Sequence, residues 1–161
     1  MVSNAEKGHV MAKKNALVLA GGGARGSFQG GAVQSLVDGM KLDFQIIYGT
    51  SAGTLNGAFL AQAPVASDSR KNLSEFAGRL ERLWTQEILG NSSIYKFRGV
   101  LSPIPIVNEP SAWANAMMFV DSVYDNSPGV SIIRRNLNMD ALKNSGRKFK
   151  CALVSLVSGE L

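Results

Sequence analysis

The sequence predicts an α/β fold of three layers (α/β/α), with helices on both sides of a mostly parallel central sheet. Two short apolar runs, residues 16–20 and 44–48, each lead through a glycine-containing turn into a stretch with helical spacing. That alternation is the strand–turn–helix unit from which parallel sheets are built. A third segment, residues 149–157, carries apolar side chains on both faces, with Phe149, Cys151, Leu153 and Val157 against Ala152, Val154 and Leu156. A strand covered by helices on both sides has this pattern.

The elements follow in chain order. Residues 1–14 are a polar leader with scattered Val2, Val10 and Met11 and no continuous apolar core of the secretory kind, so a mobile tail is expected. Residues 15–161 are expected to belong to a single domain. Its first strand, 16–20, meets Gly21–Gly22–Gly23–Ala24–Arg25–Gly26, and Phe28, Ala32, Leu36 and Met40 then set a helix over 27–40 that Gly39 is expected to terminate. A second strand over 45–48 precedes a helix over 54–62, with further helices over 71–88, 112–120 and 139–145. Gly99, Pro103, Pro105 and Pro110 oppose a regular helix between residues 90 and 110, and an extended excursion is expected there.

Gly49–Thr50–Ser51–Ala52–Gly53 lies between a strand and a helix, where G-x-S-x-G makes a nucleophile elbow. The glycines admit a sharp turn that leaves the Ser51 hydroxyl exposed at the head of the following helix, whose N-terminus favours developing negative charge. The plainer alternative is a small-residue helix start after a buried strand. The six residues from Gly21 to Gly26 form a second turn whose N–H groups can converge on an anion. They also fit G-x-G-x-x-G, and Asp43 has the separation of a ribose-binding acid. Such an acid belongs at the carboxyl end of the second strand, whereas Asp43 precedes that strand, so a dinucleotide site is not expected.

The two turns fit one reaction. Both lie at carboxyl ends of parallel strands, the edge where open α/β sheets build their sites. Ser51 would attack an ester carbonyl while N–H groups of the Gly22–Arg25 region and of Ala52 hold the oxyanion.

Residues 17–26 and 47–58, in this order and spacing, resemble the N-terminal half of patatin-like phospholipases, and weaker similarity continues through 122–128 and 148–161. The resemblance implies a lipid acyl hydrolase of the phospholipase A or lysophospholipase type, with a Ser–Asp dyad and no cofactor. Ser51 takes the nucleophile position, and Gly21, Gly22, Gly23, Ala24, Arg25 and Gly26 take the oxyanion position. The family's aspartate lies in an Asp-Gly-Gly or Asp-Gly-Ala turn, and none follows Ser51: Asp68, Asp121, Asp125 and Asp140 precede Ser69, Ser122, Asn126 and Ala141. The base is therefore expected beyond residue 161, and the chain is expected to be the N-terminal portion of a domain truncated on its C-terminal side. A non-catalytic lipid- or anion-binding module of the same fold is the alternative.

A Ser–His–Asp triad is excluded because the single histidine, His9, precedes the first strand. One histidine and one cysteine make no metal cluster, and Cys151 is expected to be a buried, inert thiol. The net charge is +5, and residues 126–161 hold Arg134, Arg135, Lys143, Arg147, Lys148 and Lys150 against Asp140 and Glu160. Phospholipid or lysophospholipid is the expected substrate, with peripheral contact to an anionic membrane; the competing explanation is an ordinary solvated basic face. No nucleic-acid motif accompanies the charge. For Arg25 a structural tie to loop carbonyls is favoured over a phosphate contact. No run has the length of a spanning helix, and the lone cysteine fits a reducing compartment, so a cytoplasmic location is expected.

Overall fold

The computed structural model describes residues 14–66, 68–97, 124–155 and 157–159. The helix expected over 112–120, most of the proline-rich stretch, nearly all of the leader, His9 and Asp121 lie outside them.

Three parallel strands make the central sheet: β1 (Ala16–Leu19), β2 (Ile46–Gly49) and β5 (Lys148–Cys151), in the order β1–β2–β5. Ala16 stands opposite Ile46 and Leu19 opposite Gly49; on the other side of β2, Ile47 stands opposite Phe149 and Gly49 opposite Cys151. Helix α1 (Gly26–Gln34) follows a 3₁₀ turn at Gly23–Arg25 and runs on through a π-helical turn at Ser35–Gly39. Helix α2 (Ala52–Leu60) leaves the elbow, and α3 (Ser69–Arg82) ends in a second π-helical turn, Leu83–Glu87. A short helix α4 (Asn91–Ile94) precedes β3 (Lys96–Phe97), which pairs antiparallel with β4 (Tyr124–Asp125). Helices α5 (Ser127–Asn136) and α6 (Met139–Asn144) complete the order.

A parallel sheet flanked by helices is the layout of the three-layer α/β/α class. Successive side chains of a strand point to opposite faces. Leu17, Leu19 and Ile47 therefore enter one core with Val33, Val37, Leu60, Leu73 and Leu80 from the helices, while Val18 (73% exposed) and Tyr48 (40%) point the other way.

Several expectations need correction. The last strand stops at Cys151 instead of running to 157, and Leu153, Val154 and Val157 are exposed. Its ladder partner β2 ends at Gly49, where the chain turns into the elbow, so only Ala152 N–H, bonded to Gly49 O at 3.3 Å, finds a further partner there. Cys151 is exposed, not buried, because it lies beyond the last core layer of Ile47 and Phe149. The first helix does not close on a left-handed Gly39; the positive φ belongs to Lys41 (58°), one residue past Met40. Helix α5 has no counterpart among the helices expected from the sequence. Pro128 sits in the first turn of that helix, where its missing N–H costs nothing.

Arg147 is buried, not part of a basic surface. Its guanidinium donates to Ala63 O (2.8 Å), Ser69 O (2.8 Å), Phe44 O and Asp43 Oδ1 (2.9 Å), tying the entries of β2, α3 and β5 together. Asp43 thus serves the N-terminal end of the sheet. Burial pushes its carboxyl pKa up, but bonds from Ser69, Arg147 and Gln45 together with the Arg147 charge hold it below the usual carboxylate range.

Candidate functional site

Ser51 occupies the single residue between β2 and α2 that has a strained backbone, φ 53° and ψ −124°. A non-glycine residue adopts such a conformation only when its surroundings over-determine it. Here they do. A side chain on Gly49 would put its Cβ 2.5 Å from Thr54 Cα and 2.7 Å from Gly53 C, so the chain folds back on itself with no room for a methyl group. Thr50 N–H bonds to Leu19 O (3.1 Å), Gly53 N–H to Thr50 O (2.9 Å) and Thr54 N–H to Ser51 O (2.8 Å), which fixes the turn from both sides. Ser51 is left exposed at the head of α2, directly before the buried Ala52.

The glycine-rich turn comes against it. A Cβ on Gly21 would lie 3.1 Å from Ser51 Cβ and 3.8 Å from Ser51 Oγ, so the two turns meet at the carboxyl edge of β1 and β2. Gly23 has a positive φ of 54° and opens the 3₁₀ turn. Arg25 N–H bonds to Gly22 O (3.0 Å), and Gly26 N–H faces Ala24 O and Gly23 O, so both are engaged inside the turn. The earlier N–H groups of a helical turn have no partner within it. Gly26 is also required by packing, since its Cβ would meet Trp84 Cζ2 at 2.7 Å and Ala52 Cβ at 3.2 Å. Arg25 is exposed, and among the described residues no carbonyl accepts from its guanidinium, contrary to the structural tie that the sequence reading favoured.

One feature that sequence reasoning missed joins the two turns from below. Asn56, only 1% exposed, donates through Nδ2 to Gly26 O and to Gln29 Oε1 and accepts at Oδ1 from Trp84 Nε1, all at 2.9 Å. Gln29 Nε2 in turn donates to Ala20 O at 2.6 Å. The available signal was a polar residue on the buried face of α2, one turn beyond Ala52.

Three described aspartates downstream of Ser51 sit at turns and helix starts. Asp68 caps α3 by accepting from Lys71 N–H, Asp125 accepts from Ser127 N–H and Oγ, and Asp140 lies in the first turn of α6. Among the described residues no side chain hydrogen-bonds the Ser51 hydroxyl, and no group of three or more His, Cys, Asp and Glu could hold a metal ion. No helix among them is long and apolar enough to cross a membrane. An apolar cavity of about 90 Å³ lies between α2, the π-helical turn and α5, lined by Leu55, Phe59, Trp84, Ile88 and Ile132.

A serine raised on a strand–turn–helix elbow, faced by a glycine-rich loop at the carboxyl edge of a parallel sheet, has the layout of a hydrolase-type α/β site. The model of the family described as patatin-like phospholipase matches residues 17–158, and the chain belongs to that family, whose general activity is lipid hydrolysis. A lysophospholipase nte1 of Aspergillus terreus (strain NIH 2624 / FGSC A1156) is 42% identical over 69 residues, covering 42% of this chain. The chain spans only 4% of that relative's length. No solved structure matches it significantly.

Proposed function

We propose that the protein hydrolyses carboxylic esters of lipids, phospholipid or lysophospholipid, through an acyl-enzyme formed on Ser51. The observation that carries this is the strained backbone of the exposed Ser51, with Gly21 so close that a Cβ added to it would lie 3.1 Å from Ser51 Cβ. The Ser51 oxygen attacks the ester carbonyl, the alcohol leaves with a proton, and water then releases the acid and restores the hydroxyl. The oxyanion is held by Gly22, Gly23 and Ala24 N–H groups with that of Ala52 at the start of α2, because Arg25 and Gly26 N–H groups are already bonded. Each such donor is worth about 3 kcal/mol of barrier. Arg25, untied and exposed beside the loop, is placed to meet a phosphate head group. The resemblance calls for an aspartate as proton acceptor, and no Asp-Gly-Gly or Asp-Gly-Ala turn follows Ser51 in this sequence. Arg134, Lys143, Lys148 and Lys150 remain exposed for contact with an anionic membrane, Arg147 having been withdrawn into the interior.

The lack of a described partner for the Ser51 hydroxyl favours a second reading, a lipid- or anion-binding module of the same fold that performs no chemistry. A serine-directed fluorophosphonate separates the two. Stoichiometric labelling of Ser51, lost in Ser51→Ala along with lysophospholipid turnover, is the expected result. Vesicle binding without labelling or turnover would leave the module.

A further inference from the structure

Asn56 is a polar side chain held almost wholly out of water, and every contact it makes determines which way its amide faces. Trp84 Nε1 can only donate and Gly26 O can only accept, so Oδ1 must face the indole and Nδ2 the carbonyl. The second Nδ2 hydrogen goes to Gln29 Oε1, which leaves Gln29 Nε2 free to donate to Ala20 O. Both amides are thereby locked in one orientation. Burying a polar group costs free energy unless it is fully bonded, and an apolar residue of similar size would fill this place without that demand.

What the pair secures is a position. Asn56 is rigidly part of α2, the helix whose first residue follows Ser51. Through Nδ2 it holds the first residue of α1, and through Gln29 it holds Ala20, the residue immediately before Gly21. The glycine-rich turn is thus fastened at both of its ends, Ala20 and Gly26, to the helix that carries the serine. The turn itself contains three consecutive glycines and has little stiffness of its own. Between those anchors lie the N–H groups assigned above to the oxyanion.

We infer that Asn56 and Gln29 are positioning residues that set the distance between the glycine-rich turn and Ser51. The inference rests on the acyl-enzyme reading of Ser51. Neither amide touches the reacting atoms; both act through the turn. Misplacement by as little as 1 Å can cost about 100-fold in rate, so the expected signature is a loss in kcat with KM nearly kept.

The test uses Gln29, which is only half-buried and tolerates replacement better than Asn56. Gln29→Leu removes the link to Ala20 and should lower kcat, and the rate of fluorophosphonate labelling with it, by about 10- to 100-fold at unchanged KM and equal folded fraction. Gln29→Glu is the discriminating variant. As a carboxylate it accepts from Asn56 but cannot donate to Ala20 O; protonated, it can do both. Its kcat relative to wild type should therefore rise as pH is lowered from about 8 toward about 5, while the Q29L ratio stays flat. A merely structural role would change stability without that pH signature. Unlabelled wild type would overturn the Ser51 reading and this inference with it. Labelled, active wild type with Q29L at wild-type kcat, or a flat Q29E ratio, would overturn the positioning role alone.

Discussion

A side chain on Gly53 would overlap the carbonyl group of Leu19: its Cβ would fall inside the oxygen's van der Waals shell, 2.6 Å from Leu19 C and 2.8 Å from Ala20 O. The head of α2 therefore rests directly on the end of β1. The second glycine of the elbow serves this contact between helix and strand, and the first serves the turn's contact with α2. Gly53→Ala should cost about 3 kcal/mol or more, since backbone cannot yield as a flexible side chain does. Gly31→Ala is the control, being exposed in mid-α1 with nothing within 4 Å of the added methyl group, and should gain roughly 0.5–1 kcal/mol. Urea denaturation of the two variants measures both. A Gly53→Ala protein as stable as wild type would mean that α2 can lift off β1.

Ser51 should resist stabilisation except at the expense of function. Its φ of 53° and ψ of −124° store about 1–3 kcal/mol in a residue with a Cβ. Ser51→Ala keeps the Cβ and should leave stability close to wild type. Ser51→Gly relieves the strain and, after the entropy that glycine adds to the unfolded chain, should be the more stable of the two by about 1 kcal/mol. Neither variant should take a phosphonate label. Equal stability of the two would show that the elbow is unstrained.

What the sequence made legible was the part governed by local rules. Gly21–Gly26 and Gly49–Gly53 could be placed at strand ends because only glycine permits such turns, and the apolar runs before them fixed β1 and β2. The roles of Gly26 and Arg147 were not legible, since both depend on partners far along the chain: Trp84 lies 58 positions from Gly26, and Asp43 lies 104 from Arg147. Periodicity failed at residues 149–157 for a related reason. Where a strand ends depends on its neighbour, and β2 turns away at Gly49. Asn56 was present within the recognised motif, but a buried amide shows its purpose only when Gly26, Gln29 and Trp84 are seen around it.

Replacing Gly22 or Gly23 by valine should reduce activity beyond any loss of stability. Gly23 has a positive φ that a β-branched residue resists, and a Cβ on Gly22 would approach Arg25 Cβ to 3.3 Å. Either change turns N–H groups away from the position of the oxyanion, and losing one donor corresponds to about 100-fold or more in kcat. Turnover per folded molecule, with folded fraction taken from circular dichroism, is the measurement. Undiminished turnover in Gly23→Val would count against the oxyanion role of the turn.

The Asp43–Arg147 pair should leave its mark on acid stability. The folded carboxyl lies below its ordinary value of about 3.9, so between those two pKa values the unfolded chain binds the extra proton. Stability from this group is therefore present in full above about pH 4 and is lost as pH falls through the lower, folded value. Asp43→Asn removes the titrating group and should flatten that part of the acid limb. Arg147→Met is the harsher change: it strips a donor from Phe44 O, Ala63 O and Ser69 O and leaves a part-buried carboxylate without its cation, at a cost of about 3 kcal/mol at neutral pH. With that cation gone, two of the influences that lower the Asp43 pKa are lost and it should rise, so Arg147→Met should lose less stability than wild type on acidification. Thermal unfolding followed between about pH 3 and about pH 7 checks both, and parallel curves for wild type and Asp43→Asn would show that the pair contributes nothing that protonation can remove.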